Sequence, residues 1–167
     1  MTVNVNAAKQ KSKHVILIGM DGWGAYSVPK ADIPAIKSLM TNGCYTLHSR
    51  SVLPSSSAIN WASMFMGVGT ELHGYTTWGS KTPEIPSREV NERGIAPTIF
   101  SVLRAQRPKA EFGCLYEWPA IKYLVDTLAM SYQYQTPGYA HAPTALCEAA
   151  EKYIIEKKPE LPSNYFE

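Results

Sequence analysis

The chain has 167 residues, enough for one domain with a sizeable core. Hydrophobic residues make up 45% of it, so the composition is not that of a disordered chain. The 16 basic and 14 acidic residues give a net charge of +2 without a segment of one sign, which argues against a nucleic-acid-binding patch. The longest apolar run, 15–20, is too short for a transmembrane segment.

The beginning of the chain is polar and lacks the apolar core of a signal peptide. We predict a frayed or disordered leader at 1–13 and assign 14–167 to a single domain. The sequence leaves the compartment unknown. Cys44, Cys114 and Cys147 are widely spaced, odd in number and without a CxxC pair, which predicts buried free thiols rather than a structural zinc site.

The first predicted element is a strand. Residues 14–20 form a short apolar run rich in β-branched residues, typical of a strand covered on both faces in a parallel α/β sheet. Asp21 and Gly22 open the turn that follows. Asp21 therefore comes directly after the carboxyl end of a strand, where open α/β sheets bind their ligands.

Two helices and one strand are predicted next. Apolar residues repeat at helical spacing over 34–43, with Asp32 as a candidate cap. Residues 44–51 alternate in polarity like a second strand. A further helix is predicted over 57–66, because glycines follow this segment and close it.

The remaining chain continues the alternation. A long loop over 74–93 is rich in Gly, Pro, Ser and Thr. Pro97 opens a helix, 111–116 is predicted as a third strand, and 142–157 as a helix after which another strand should begin. This order predicts an α/β fold with a mainly parallel sheet and helices on its faces. A sheet of three or four strands is small for an α/β fold of this kind, so we expect an incomplete sheet with an open edge.

Three serines, at 55, 56 and 57, lie at the start of the helix predicted over 57–66. The start of a helix favours a bound phosphate, although a helix-capping serine is the ordinary alternative. A serine hydroxyl is a poor nucleophile unless its proton is removed, and no histidine is placed to remove it. A metal ion held by Asp21 would favour loss of the serine proton by lowering the pKa of the hydroxyl. The ordinary alternative for Asp21 is a structural one, because Asp-Gly is also a common turn sequence.

Three motifs follow one another along the chain: Val-Ile-Leu-Ile-Gly-Met-Asp-Gly at 15–22, Pro-Ser-Ser-Ser-Ala-Ile-Asn at 54–60 and Gly-Thr-Glu-Leu-His-Gly at 69–74. In this order they resemble the motifs of the alkaline phosphatase superfamily, and within it those of the nucleotide pyrophosphatase/phosphodiesterase (type I phosphodiesterase) branch. The resemblance covers most of 14–160. It implies an alkaline phosphatase-like three-layer α/β/α fold, of which this chain would be the amino-terminal part, and a small phosphoester or nucleotide substrate.

Carried over position by position, the resemblance makes Asp21 a metal ligand and Ser57 the nucleophile that also binds metal as an alkoxide. It makes Asn60 an amide donor to a phosphoryl oxygen. It implies two divalent ions, expected to be zinc, and a phosphoseryl intermediate. The family's later Asp-x-x-x-His ligands have no counterpart, so we expect a partial site completed beyond Glu167. An extracytoplasmic location would be compatible with the resemblance.

The sequence also departs from the branch. Ser57 replaces its usual Thr, 58–59 replace Phe-Pro, and Trp61 replaces His; His73 matches a structural histidine of the family. Two alternatives stay open. One is a catalytically incomplete fragment that acts, if at all, as a binding or self-associating module through its open sheet edge. The other is an unrelated α/β module that binds phosphate without metal.

Overall fold

The structure is a computed structural model. It describes residues 14–137 and 143–159, and the backbone of 161–166. The predicted leader at 1–13 lies outside the described residues. Among the residues described, no helix combines the length and the apolar character that a membrane span requires.

The described strands form one parallel sheet. They are β1 (Leu17–Met20), β2 (Phe112–Tyr116), β3 (Tyr132–Gln135) and β4 (Leu161–Phe166), in the spatial order β1-β4-β2-β3. β4 pairs with β1 and with β2, so that Gly19 and Tyr116 flank Tyr165. The strands predicted at 14–20 and 111–116, and the one expected after the last helix, are confirmed. β3 has no counterpart among the predicted strands.

The helices in the described residues are α1 (Pro34–Asn42), α2 (Ser57–Met66), α3 (Thr70–His73), α4 (Ile99–Gln106) and α5 (Pro143–Lys157). Short 3₁₀ turns lie at Ala25–Ser27 and Pro119–Tyr123. α1, α2, α4 and α5 confirm the predicted helices. α4 starts with a capping box, in which the side chains of Thr98 and Ser101 each accept the other's backbone N–H.

Helices cover both faces of the sheet. Phe112, Cys114 and Tyr116 of β2 pack with α2 and α4 in the larger hydrophobic core. Leu115, which strand alternation places on the opposite face, packs with Leu146 of α5 in a smaller core. The predicted three-layer α/β/α arrangement with a parallel sheet is therefore confirmed.

β1 differs from the prediction of a strand covered on both faces. The side chains of 15–18 are between 41% and 54% exposed, and no residue of β1 is buried. Among the described strands, β1 lies at the edge of the sheet and pairs only with β4, whereas the larger core is built around β2. The apolar run correctly indicates a strand, but its covering depends on neighbours that the local sequence does not contain.

Three smaller predictions are wrong. Residues 44–51 form no strand, because no other segment that the structure describes pairs with them. Asp32 does not cap α1, because the next residue takes the N-cap position and makes no side-chain hydrogen bond. All three cysteines are free, but only Cys114 lies in the core; Cys44 and Cys147 are exposed.

Candidate active site

Asp21 lies at the carboxyl end of β1, as predicted. The strand ends at Met20, and the chain turns at Gly22, whose φ of 69° is in the left-handed region that favours glycine. The Gly22 N–H donates to Asp21 Oδ1 at 2.8 Å. The turn therefore holds one oxygen of the carboxylate, while the side chain remains partly accessible.

The helix that carries the candidate nucleophile begins at the predicted residue. Ser56 takes the N-cap position of α2 with an extended backbone and without a side-chain capping bond, and Ser57 is the first helical residue. The Ser56 Oγ is buried and has no hydrogen-bond partner among the described residues. The Ser55 Oγ, by contrast, accepts from Ser51 Oγ at 2.9 Å. Ser57 thus stands at a helix start, which favours a bound anion.

Asn60 ties the segment before α2 to the first turn of the helix. Its Oδ1 accepts the Val52 N–H at 2.9 Å, and its Nδ2 donates to the Ser56 carbonyl at 3.0 Å. An amide nitrogen has two protons, so these bonds leave one of them. Asn60 therefore has a structural role, and only its second proton could be donated to a phosphoryl oxygen.

Trp61 connects the strand end to the helix start. It lies one helical turn after Ser57, so the two residues share a face of α2. Its indole Nε1 donates to Asp21 Oδ2 at 3.5 Å. Asp21 therefore lies on the same side of the sheet as the first turns of α2. The sequence marks Trp61 only as a departure from the family, and no sequence signal identifies this contact, because Asp21 and Trp61 are 40 positions apart.

His73 is held inside the fold. It is fully buried, its Nε2 lies 3.0 Å from Ser63 Oγ, and its Nδ1 accepts the Tyr75 N–H at 3.0 Å. Burial lowers the pKa of the His73 imidazole, against the opposing effect of the Glu71 carboxylate. Because both ring nitrogens have partners within the fold, the environment of His73 is that of a structural histidine.

A complete metal centre is not formed by these residues. In the part of the chain that the structure describes, no three His, Cys, Asp or Glu side chains are grouped to hold a metal ion. A catalytic zinc takes three protein ligands, and Asp21 with Ser57 supplies fewer. Glu117, buried directly after β2, is another acid at this edge of the sheet, but no sequence pattern singles it out. The described residues alone therefore do not fit a divalent-metal centre.

The fold and the site together indicate a class of protein. A parallel α/β sheet with a carboxylate at a strand end and a serine at the start of a neighbouring helix is suited to binding a phosphate group and transferring it. Asp21 lies at the carboxyl end of β1, where such folds bind ligands, and the indole of Trp61 connects it to the helix that Ser57 begins. The arrangement is compatible with the phosphate-binding site that the sequence predicts.

The family model for type I phosphodiesterase / nucleotide pyrophosphatase matches residues 15–160, and the chain belongs to this family. The matched segment contains Asp21, Ser57 and Asn60. The family comprises hydrolases of phosphodiesters and nucleotide pyrophosphates and is generally metal-dependent. A comparison with curated proteins found no significant match. The resemblance stated from the motifs is therefore confirmed at the level of the family.

Proposed function

We propose that this chain carries the nucleophile and one metal ligand of a hydrolase that acts on phosphodiesters or nucleotide pyrophosphates. The family supports the hydrolase class and a small phosphoester substrate. The observation that supports the site is the contact between Trp61 and Asp21, because it brings Asp21 beside the helix that Ser57 begins. Residues 14–167 would then contribute the amino-terminal part of a catalytic domain.

In the proposed reaction, Ser57 Oγ forms a bond to phosphorus while the bond from phosphorus to the leaving oxygen breaks with its electron pair. The serine proton passes to the leaving oxygen or to solvent. A water molecule then cleaves the phosphoseryl ester, restores the hydroxyl and releases the phosphate product. Free backbone N–H groups at the start of α2 stabilise the negative charge on the transferring group.

Asn60 supplies a further donor in this proposal. The Nδ2 proton that does not go to the Ser56 carbonyl would be donated to a phosphoryl oxygen. The bonds to Val52 and Ser56 hold the amide in one orientation before substrate binds. A donor that is already oriented requires no reorganisation when charge develops, which is the basis of such stabilisation.

Asp21 is proposed as one ligand of a divalent ion, with ionised Ser57 as another. The family resemblance implies two such ions and leads us to expect zinc. The described residues supply too few ligands to complete either site, so further ligands would have to lie outside them. No step of the proposed reaction is therefore assigned to a metal ion.

Ser57→Ala tests the nucleophile. With bis(4-nitrophenyl) phosphate as substrate, nitrophenolate release should fall by a factor on the order of 10³ or more, because the attacking oxygen is gone. Acid quenching during turnover should yield a peptide phosphorylated at residue 57 from the unmutated chain and not from Ser57→Ala. The matched control is Ser55→Ala, an exposed serine two residues earlier, which should retain turnover. Near-normal turnover by Ser57→Ala would discard the assignment.

The alternative is a catalytically incomplete chain that self-associates. Two features of β1 favour self-association: its apolar side chains are exposed, and it lies at the edge of the sheet, where a strand presents backbone groups that can pair with another chain. A groove of about 390 Å³ beside β1 is lined by Val15 and Leu17, with Met64 of α2 and Ile99 of α4. A second copy of the chain could bind along this edge.

Light scattering with a turnover assay separates the two functions. The alternative predicts a dimer that Ile18→Lys converts to a monomer, together with no turnover by the unmutated chain. The lysine should act because a charge on the exposed apolar strand opposes its burial against a second copy. A chain that is monomeric at high concentration would exclude self-association.

A further inference from the structure

The indole ring of Trp61 is held tightly by its neighbours. It is 5% exposed and stacks on Phe65, with ring centroids 5.6 Å apart and planes at 25°. It also lies against the backbone of β1 at Gly19, where an added Cβ would overlap the ring. A side chain packed in this way has few alternative rotamers, so packing fixes the direction of the indole N–H.

This N–H is directed at Asp21. Trp61 Nε1 lies 3.5 Å from Asp21 Oδ2, and the Gly22 N–H donates to Oδ1 at 2.8 Å. An indole nitrogen can only donate, so the carboxylate accepts from both groups. The two oxygens are therefore held from two elements, the turn after β1 and helix α2. Rotation of the carboxylate would break at least one of the two bonds.

We propose that Trp61 is a positioning residue that orients the Asp21 carboxylate toward the start of α2. This inference rests on the proposed function, since the orientation matters for catalysis only if Asp21 belongs to the site. A tryptophan that served the core alone would need its ring but not its N–H. Trp61→Phe separates these roles, because it retains an aromatic ring and removes the donor.

The indole resonances of the full chain test the contact. The chain has four tryptophans, and Trp61→Phe identifies the Trp61 signal in a ¹⁵N–¹H correlation spectrum, where the other three signals also report that the fold is intact. In Asp21→Ala the acceptor is removed, so the Trp61 signal should shift more than the others and exchange faster with solvent. Asp32→Ala, which removes an exposed acid, is the control and should leave the Trp61 signal unshifted. An unmoved Trp61 signal in Asp21→Ala would overturn the proposal.

Kinetics give the second readout. With bis(4-nitrophenyl) phosphate, Trp61→Phe should lower kcat about tenfold and change KM less than about twofold, because groups that orient a ligand typically contribute about 10–100-fold. Trp78→Phe, at a tryptophan that is 60% exposed, should change neither. A change in KM alone would contradict a positioning role. Full turnover by Ser57→Ala would reject the proposed function without touching the spectroscopic result, so the two failures are distinguishable.

Discussion

The two halves of the candidate site lie in regions that are packed very differently. The N-terminal region, 14–56, contains Asp21, and none of its residues is buried, although it includes the longest apolar run of the chain. The core region, 57–135, contains Ser57 and Trp61 and holds every buried residue of the larger hydrophobic core. The site is therefore built across the boundary between a loosely covered strand and a densely packed helix.

Different forces consequently hold the two candidate groups. Burial of apolar surface stabilises α2 by about 25 cal/mol per Å², so the hydrophobic core sets the position of Ser57. Asp21 depends instead on the pairing of β1 with β4, on its own turn and on the Trp61 indole. Segments with few buried contacts open at lower free energy than a core does. Asp21 is thus the more adjustable half of the site.

Replacing one isoleucine by alanine in each region should give the largest difference in the free energy of unfolding. Ile121 is 0% exposed in the core region, and Ile18 is 54% exposed in the N-terminal region. Ile121→Ala should lower the free energy of unfolding by about 2–5 kcal/mol, and Ile18→Ala by less than about 1 kcal/mol. Urea denaturation followed by circular dichroism measures both values. Equal losses would show that β1 is covered in solution and would break the comparison.

Gly19 is a point of close contact between the two regions. A Cβ added at this position would overlap the outer atoms of the Trp61 six-membered ring, so Gly19→Ala should cost about 1–3 kcal/mol although it removes no contact. The cost should be smaller in a Trp61→Phe background, because the shorter side chain leaves room for the methyl group. The four unfolding free energies form a double-mutant cycle, and strictly additive effects would refute the contact.

Local patterns predict the long helices in both regions, whereas the errors concern strands, at 44–51 in the N-terminal region and at β3 in the core region. The helix predicted over 57–66 from the glycines that close it is confirmed by α2, which ends where Gly67 takes a left-handed conformation. The alternation over 44–51 fails because a strand forms only where a distant segment pairs with it. β3, with its Tyr-Gln-Tyr-Gln sequence, has no predicted counterpart because four residues at a sheet edge carry too short a pattern.

The sequence predicts those parts of the candidate site that lie at the end of a strand or at the start of a helix. The position of Asp21 after a strand and of Ser57 at a helix start follow from local turn and helix signals, and the structure has both. The contact between Trp61 and Asp21 joins positions 40 residues apart and depends on packing against Gly19. No local pattern contains that information. The catalytic and metal-binding roles of these residues stay predictions.

Replacing the capping candidates at one helix start in each region should give a smaller difference in the free energy of unfolding. Thr98 accepts the Ser101 N–H in the capping box of α4, whereas Asp32 makes no capping bond at α1. Thr98→Ala should therefore lower the free energy of unfolding by about 1 kcal/mol, and Asp32→Ala by less than about 0.5 kcal/mol. Paired thermal melts resolve this difference. A larger loss for Asp32→Ala would mean that it caps α1 in solution.

The smallest effect should be a pH dependence that arises in the core region at His73. Burial lowers the pKa of its imidazole below the ordinary value of 6.5. As the pH falls below 6.5, the unfolded chain takes up a proton that the folded chain does not, so the free energy of unfolding decreases until the pH passes below the folded pKa. For one proton the slope cannot exceed about 1.4 kcal/mol per pH unit.

His73→Gln separates this titration from the hydrogen bonds of the ring. The variant should be less stable near neutral pH, because Ser63 Oγ and the Tyr75 N–H lose their imidazole partner, but its stability should change less between about pH 7 and pH 5.5. His48→Gln, in the exposed N-terminal region, is the matched control and should retain the slope of the unmutated chain. If the slope survives in His73→Gln and is lost in His48→Gln, the pH dependence belongs to the N-terminal region, and the core region is not the source of the pH-dependent stability.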